Sequence, residues 1–388
     1  MDSRLVIGFS VDARADQVRA ALVRVAGVGL DSNAETLASV AASGLSEPGE
    51  GREAVRACVS LAEHLVEIAR TLIAKASAPA DQVLLQAITW DGEPNEAESD
   101  ATWLAARVAE FSGTTVLAGL AARDRAAGGR GRPLSVIVDW LLANEQRSTR
   151  LVVHVDGITQ VTWLPAGGGP LRAGSMEVGP GMWLLGDLSK CLAAGRHRVD
   201  ERGILAVQGR QIKPLTRRWA AHSFLRRDPP RFLGPEDFGK PFIDATAQYA
   251  AERGWSVADI LCTATHLVAA CPADVVRQFL SKSYAIDQVI FVGRGTQNGF
   301  LLRLLQEQFA ALGLQTVSIP KVTPDTYEAA TAAMLGTLTM DNITCSLPGA
   351  TGAAASRLLG QFTPGTPENW ARCVEWMNAV HRLKLRAA

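Results

Sequence analysis

One glycine-rich segment of the chain has the residue types and the setting of a nucleotide-binding loop. The β-type run Gln288–Val292 leads into Gly293 to Asn298 (GRGTQN), and the apolar face of a helix follows. A strand, a glycine loop and a helix in this order allow a nucleotide to approach the backbone closely, although the pattern alone is unspecific. Two further glycine-rich runs, Arg123–Leu134 and Met176–Met182, contain carboxylates, which can accept hydrogen bonds or protons.

The elements around these segments include two predicted strand pairs. Leu151–Val155 and Ile158–Leu164 flank Asp156-Gly157, and an Asp-Gly pair between β-type runs predicts a tight hairpin whose two central residues have positive φ. Near the amino terminus, Leu5–Ser10 is a β-branched apolar run and predicts a first strand. The next segment, Ala15–Val25, fits a helix or a strand equally well by its periodicity.

Helical patterns alternate with these strands. Glu53–Ala76 has a single apolar stripe and predicts an amphipathic helix. Gln315–Ile319 predicts another strand, Tyr327–Leu338 another helix, and a last helix begins at Glu368. Alternating strands and helices indicate α/β architecture, and 388 residues suit two lobes better than one.

Composition narrows the class of protein. The chain has 39 Lys and Arg against 39 Asp and Glu, so no net field favours nucleic acid or a membrane surface. The six cysteines are scattered, without a CxxC motif or a Cys/His cluster, which predicts reduced thiols and no zinc site. No apolar run reaches the roughly 18 residues of a membrane span, and the first residues lack a signal pattern. We therefore expect a cytoplasmic protein that binds neither nucleic acid nor membrane.

Three motifs in order carry a family resemblance: Arg123–Leu134 (RDRAAGGRGRPL), Leu151–Pro165 (LVVHVDGITQVTWLP) and Met176–Met182 (MEVGPGM). Together they resemble the anhydro-N-acetylmuramic acid kinases, and segments such as Pro229–Arg231 and Leu347–Gly360 follow in family order. The resemblance implies an ATP-dependent kinase of the actin/hexokinase/Hsp70 type that recycles a cell-wall amino sugar. It implies an α/β fold of two lobes, the actin-like ATPase or ribonuclease H-like fold, with a central cleft.

The same resemblance implies an organisation and a set of ligands. The first lobe would span residues 1–150 and the second 151–363, with a carboxy-terminal helix in 364–388 that packs back on the first lobe. The segment after Ala15 would be a strand, which forms a hairpin around the turn Val11 to Arg14. ATP with Mg²⁺ would be the cofactor, a small amino sugar the substrate, and a homodimer the assembly.

The family pattern assigns roles to individual positions of this sequence. Glu177 occupies the position of the general base, which takes a proton from the water that opens the anhydro bridge as O6 is phosphorylated. Asp124 and Glu328 are candidate substrate contacts, for which loop bracing is an equal alternative. The positions matched to the nucleotide site are Asp12, Ala13, Arg14, Asp16, Gly157, Gly293, Gly295 and Asn298.

Several matched positions depart from the family pattern. Asp12 and Asp156 stand where the family has glycines near phosphate, and a carboxylate ~4 Å from a phosphate charge costs ~1–4 kcal/mol. Glu177 replaces an aspartate, while Gly119 and Ala121 replace an acid and an arginine. These departures favour the alternative of a pseudokinase that binds a ligand or a protein without turnover. Plain solvated turns, or a cation held by the two aspartates, are the other interpretations of the acidic changes.

Overall fold

The computed structural model describes residues 3–12, 17–43, 52–90, 97–192, 200 and 202–387. It divides into two compact units: unit 1 consists of Met1–Leu142 and Pro320–Ala388, and unit 2 of Ala143–Ile319. Residues 320–363, placed in the second lobe by the sequence prediction, therefore fall in unit 1.

The strands of the described residues are, in chain order, β1 Arg4–Asp12, β2 Gln17–Ala26, β3 Asn33–Ser43, β4 Val83–Trp90, β5 Thr115–Ala118, β6 Arg150–Val155, β7 Ile158–Leu164, β8 Gly174–Pro180, β9 Gln288–Val292, β10 Gln315–Thr316 and β11 Gln361–Thr363. The α-helices are α1 Arg52–Lys75, α2 Ala97–Ser112, α3 Leu120–Ala126, α4 Val136–Ala143, α5 Met182–Leu192, α6 Lys213–Ala220, α7 Pro235–Phe238, α8 Lys240–Arg253, α9 Val257–Gln278, α10 Gly299–Ala310, α11 Tyr327–Met340, α12 Pro348–Thr351 and α13 Pro367–Ala387.

The two units repeat one strand order. The sheet of unit 1 runs β11-β5-β4-β1-β2-β3 and that of unit 2 runs β10-β9-β6-β7-β8. In each unit the first three strands are antiparallel, the fourth pairs parallel with the first, and the fifth pairs parallel with the fourth. Helices occupy the crossovers, as parallel pairing requires. This order is that of the ribonuclease H-like fold, so the predicted fold class is confirmed.

Unit 1 is held together by contacts between its two chain segments. Helices α1 and α2 contribute to one apolar core with the strands, while α11 contacts β1, β2 and β4. A buried ion pair joins Arg4 of β1 to Asp341, which follows α11, at 2.5 Å. The Asp341 carboxylate also accepts the Gly29 amide and the Trp376 indole N–H. On α13, the Asn369 side chain donates to carbonyls of β4 and accepts from the amide that starts β5.

The core of unit 2 is built around α9. This helix with its short extension, Val257–Lys282, is long and apolar enough to cross a bilayer by composition and length alone. In the structure 78% of its most apolar window is buried, and its buried residues belong to the core of unit 2. The Ser256 hydroxyl caps its first turn by accepting from the Asp259 amide. The apolar length of α9 is thus explained by its central place in a folded unit.

Most predicted elements are present, with shifted ends. The segment after Ala15 is the strand β2, as the family resemblance implies, and not a helix. The predicted turn at Val11 to Arg14 is too early, because β1 continues through Asp12, which pairs with Gln17. Residues 13–16 lie outside the described part of the chain. The strand predicted at Gln315–Ile319 is shorter than expected and ends at Thr316.

Candidate functional site

Three glycine-rich motifs of unit 2 meet at one edge of its sheet. Strands β6 and β9 are parallel and end there, and β8, which is antiparallel to β7 and so runs in the same direction as β6, ends at the same edge. The turn at Asp156-Gly157, the segment Pro180–Trp183 and the loop Gly293–Asn298 follow these strand ends. The Met182 amide donates to the Asp156 carbonyl at 2.7 Å, and the Gly181 amide donates to the Gly157 carbonyl at 3.1 Å. The sequence motifs are therefore connected by backbone hydrogen bonds.

The Asp156 carboxylate links the turn to the glycine loop. Its Oδ1 accepts the backbone N–H of Arg294 at 2.7 Å, and the side chain is only 7% exposed. The carboxylate lies in the space that a side chain at Gly293 would need, and Gly293 has φ of +95°. Asp156 therefore points into the protein and onto a backbone donor, rather than into solvent.

The predicted type of turn at Asp156-Gly157 is wrong. Neither residue has positive φ, and Val155 pairs with Thr159, so the connection has three residues rather than two. The glycine is required for a different reason: a Cβ at Gly157 would overlap the ring of Trp183. Close packing by an indole, and not turn geometry, excludes larger residues here. Nothing in a short sequence pattern indicates which of these two causes applies.

The loop after β9 has the geometry that the sequence predicts for a nucleotide loop. Gly293 leads into a single 3₁₀ turn, Arg294–Gln297, and Asn298 caps α10 by accepting the Leu301 amide at 3.0 Å. A Cβ at Gly295 would overlap Val155 at the end of β6. The structure thus brings together Gly157, Gly293 and Gly295 at one sheet edge.

Glu177 lies on β8 beside an irregularity of the sheet. Gln160 of β7 pairs with Glu177 while Thr159 pairs with Gly179, so Val178 is an extra residue and forms a β-bulge. Bulges re-aim neighbouring side chains and are frequent beside active sites. The Glu177 carboxylate is 2% exposed, and its Oε2 accepts the Leu233 amide at 2.6 Å. A buried acid in a fixed orientation is a chemically suitable proton acceptor.

Arg231 fixes the backbone of this bulge and was not singled out in the sequence. Its Nε donates to the Glu177 carbonyl and its Nη2 to the Val178 carbonyl, both at 3.3 Å. Its Nη1 donates to carbonyls of the preceding segment, including that of Leu225 at 3.1 Å. Burial lowers the pKa of this guanidinium from its ordinary value. The Pro-Pro-Arg match at residues 229–231 was the available signal for this role.

In unit 1, two predicted site residues, Asp12 and Glu328, lie near one face of β1. Ser10 and Asp12 are two positions apart on β1 and share a face of the sheet. The Ser10 hydroxyl donates to the Glu328 carboxylate, in the first turn of α11, at 3.3 Å. Asp12 is the last residue of β1 and is 7% exposed. The other predicted residues of this turn, Ala13, Arg14 and Asp16, lie outside the described residues.

Asp124 has the environment of a structural brace. Its carboxylate is fully buried and accepts hydrogen bonds from the Gly131 amide, the Ser346 hydroxyl and the Thr351 hydroxyl. These bonds hold the loop after α3 against the segment that contains α12, from Ser346 to Thr351. With three donors on its two oxygens, the side chain fits the bracing alternative better than a contact with substrate.

The residues present differ in how well they suit ATP and Mg²⁺. The space beside Gly293 is filled by the Asp156 carboxylate and the space beside Gly295 by Val155, and the Arg294 amide is engaged by Asp156. Among the described residues no group of three or more His, Cys, Asp or Glu could hold a metal ion. Mg²⁺ in kinases is usually bound by one or two carboxylates together with phosphate oxygens, so such a group is not required.

The repeated strand order and the glycine-rich turns at a sheet edge define a protein of the actin-like ATPase class. A family model for anhydro-N-acetylmuramic acid kinase matches residues 95–365. The anhydro-N-acetylmuramic acid kinase of Gloeobacter violaceus is 30% identical over 385 residues, which cover 94% of this chain and 100% of that protein. The chain therefore belongs to the anhydro-N-acetylmuramic acid kinase family, and the resemblance seen in its motifs is confirmed.

A second relative also matches over nearly the whole of both chains, and the solved structures that are similar have much lower sequence identity. The anhydro-N-acetylmuramic acid kinase of Caldanaerobacter subterraneus is 27% identical over 93% of this chain and 97% of that protein. Among solved structures, component A of the (R)-2-hydroxyglutaryl-CoA dehydratase of Acidaminococcus fermentans has a TM-score of 0.43 and 14% identity. That alignment covers 86% of this chain and 97% of the other.

Proposed function

We propose that this protein is an ATP-dependent kinase of a 1,6-anhydro amino sugar, as the names of its relatives indicate for them. One observation carries the proposal: two family motifs, the Asp156-Gly157 turn and the segment that contains Gly181 and Met182, are joined by backbone hydrogen bonds at the edge of the unit 2 sheet where β9 leads into the Gly293–Asn298 loop. The substrate would be a small amino sugar, and a reaction that consumes ATP also implies a cytoplasmic protein.

Specific residues would serve each ligand. Gly293, Gly295 and Asn298 would hold the nucleoside, and the hairpin after β1, which begins at Asp12, would face phosphate. ATP with Mg²⁺ supplies the transferred phosphoryl group when bound. Catalysis of this kind depends mainly on positioning and on charge stabilisation, which fixed backbone donors provide.

Glu177 would act as the general base, with its carboxylate taking a proton from water. The Leu233 amide orients the carboxylate, and Arg231 holds the carbonyls on either side of the bulge. The side chain is one methylene longer than the family's aspartate, a shift of ~1.5 Å. Misplacement by ~1 Å can cost ~100-fold in rate, so the bulge geometry decides how well the longer acid performs.

The test is product formation from 1,6-anhydro-N-acetylmuramic acid and ATP–Mg²⁺, followed by mass spectrometry. Glu177→Gln should lower turnover by at least ~100-fold, because the amide keeps the side chain's size but takes up no proton at neutral pH. Glu252→Gln, on the exposed face of α8, is the control and should leave turnover unchanged. Glu177→Asp restores the family's acid and should be faster than the parent if misplacement limits the rate.

Two outcomes would count against the proposal. Turnover that survives Glu177→Gln would place the base elsewhere. A parent chain and a Glu177→Asp variant that both form no product would remove the kinase reaction with this substrate.

A second candidate function is ligand binding without turnover. The observation that favours it is the Asp156 carboxylate on the Arg294 amide, because an anion already occupies a donor of the nucleotide loop. A thermal-shift panel of ATP–Mg²⁺, ADP and anhydro sugars separates the two candidates. A binding module would be stabilised by a ligand and give no product, whereas a kinase would be stabilised and turn over.

A further inference from the structure

The glycine loop of unit 2 already contains an anion, contributed by the protein itself. Backbone N–H groups in glycine-rich turns commonly bind phosphate oxygens. Here the Arg294 amide binds Asp156 Oδ1 at 2.7 Å, and the carboxylate fills the space above Gly293. The turn that carries Asp156 is itself held by hydrogen bonds. The Met182 amide donates to the Asp156 carbonyl, and the Trp183 amide donates to the Gly157 carbonyl.

The position of this charge is fixed by packing as well as by hydrogen bonds. Trp183 packs on Gly157, which limits the movement of the turn that carries Asp156. Asp156 is 7% exposed, which weakens the screening of its charge by water. A nucleoside brought to Gly293–Asn298 carries no charge and meets no repulsion, whereas each phosphate attached to it adds negative charge near the carboxylate.

We propose that Asp156 is a specificity-determining residue, an internal anion that makes this loop select the nucleoside part of its ligand and disfavour each added phosphate. The inference rests on the proposed use of the loop for a nucleotide. The discrimination against phosphate would be particular to this chain, because Asp156 stands where the family pattern has a glycine. A unit charge at about 6 Å changes affinity by roughly 3- to 100-fold between water-like and near-surface dielectrics.

The experiment compares the affinities of adenosine, ADP and ATP for the full chain by calorimetry, at low ionic strength and without Mg²⁺. Asp156→Asn removes the charge and keeps an oxygen able to accept the Arg294 amide. It should tighten ATP binding by roughly 3- to 100-fold, tighten ADP binding less, and leave adenosine unchanged. Asp287→Asn is the matched control: its carboxylate accepts the Thr149 amide at 2.8 Å at the opposite edge of the same sheet.

Each result decides the question. Selective tightening for the phosphorylated ligands supports the internal anion. Equal changes for adenosine and ATP would show that Asp156 only braces the loop, and unchanged affinities would show that phosphate does not approach it. Asp156→Gly, the residue of the family pattern, gives the same contrast if the asparagine variant is poorly folded.

Failure of the proposed reaction would look different. Adenosine binding with Asp156-dependent discrimination but no phosphoryl transfer would retain the internal anion and remove turnover. An absence of binding for all three ligands in all variants would overturn the internal anion, while product formation in the kinase assay would still be measured independently.

Discussion

The two units place equivalent strands under different constraints. Strands β1 and β6 occupy the same position in the repeated sheet order, and each is followed by an aspartate-containing hairpin. In unit 1, β1 is anchored by Arg4, at its start, and by Gly8 and Ser10, which contact α11 along its length. In unit 2 Arg150, at the start of β6, is only partly buried and bonds to Gln288 and Glu145, and the buried polar anchor is Asp156, at the hairpin itself.

This difference shows what the fold requires and what it leaves to the individual chain. The strand order needs apolar strands and crossover helices, and both units supply them. The position of the polar anchor is not dictated by that order. Unit 1 uses a buried ion pair far from its hairpin, and unit 2 uses a carboxylate inside its glycine site. We therefore expect the anchor of unit 2 to affect ligand binding and the Arg4–Asp341 anchor of unit 1 to affect stability.

The largest expected effect concerns the unit 1 anchor. Asp341→Asn would leave the Arg4 guanidinium buried without its counter-charge, and burial already lowers the pKa of Arg4. Breaking one side of a buried pair costs about 3–5 kcal/mol. We expect the free energy of unfolding in urea to fall by this amount. Glu35→Gln, which breaks the half-exposed pair with Arg24, is the control and should change little. Equal small losses in both variants would make the buried anchor dispensable.

A smaller expected effect concerns the close packing against one glycine in each unit, Gly8 in unit 1 and Gly157 in unit 2. A Cβ at Gly8 would overlap the backbone carbonyl of Ala329 in α11, which has little freedom to move. A Cβ at Gly157 would overlap the Trp183 ring, a side chain that can rotate. Gly8→Ala should therefore lose about 1–3 kcal/mol of unfolding free energy. Gly157→Ala should lose less, and Trp183→Ala in the same chain should remove part of its penalty. The reverse ranking would contradict the comparison.

The smallest effect concerns the hairpin of unit 1. Asp12→Gly restores the residue of the family pattern and removes a carboxylate from the proposed phosphate turn. We expect ATP–Mg²⁺ to bind about tenfold more tightly at low salt, with the gain shrinking as salt screens the charge. Calorimetry at two ionic strengths measures it. Equal or weaker affinity in the glycine variant would place phosphate away from Asp12.

Much of the fold follows from local patterns in the sequence. β9 and β7 have the predicted bounds, because β-branched apolar runs end there at glycine or proline. Periodicity alone left Ala15–Val25 undecided, since most of β2 is buried on both faces and lacks clean alternation. The extent of unit 1 could not be derived locally. Its second segment joins the first through contacts such as Arg4–Asp341, 337 positions apart.

The sequence indicates which residues form the candidate site better than it indicates which hydrogen bonds they make. The family resemblance predicts that Gly157, Gly293 and Gly295 belong to one nucleotide site. The structure places all three glycines at one edge of the unit 2 sheet. The direction of the Asp156 side chain was not predictable, because it depends on the space above Gly293 and on the Trp183 contact. For Asp124 both alternatives were open, and the three donors around its carboxylate favour a brace.

The division of unit 1 into two chain segments has a consequence for synthesis on the ribosome. Unit 2 is one continuous stretch and can complete its core as soon as Ile319 has emerged. The ion pair between Arg4 and Asp341 cannot form until Asp341 is translated, about 17 to 67 s after Arg4 at ~5–20 residues per second. During that interval the sheet of unit 1 lacks α11. A chain whose synthesis has reached Ile319 but not the end of α11 therefore has a complete second unit and a first unit with an uncovered sheet face, which is the form that chaperones and proteases would meet.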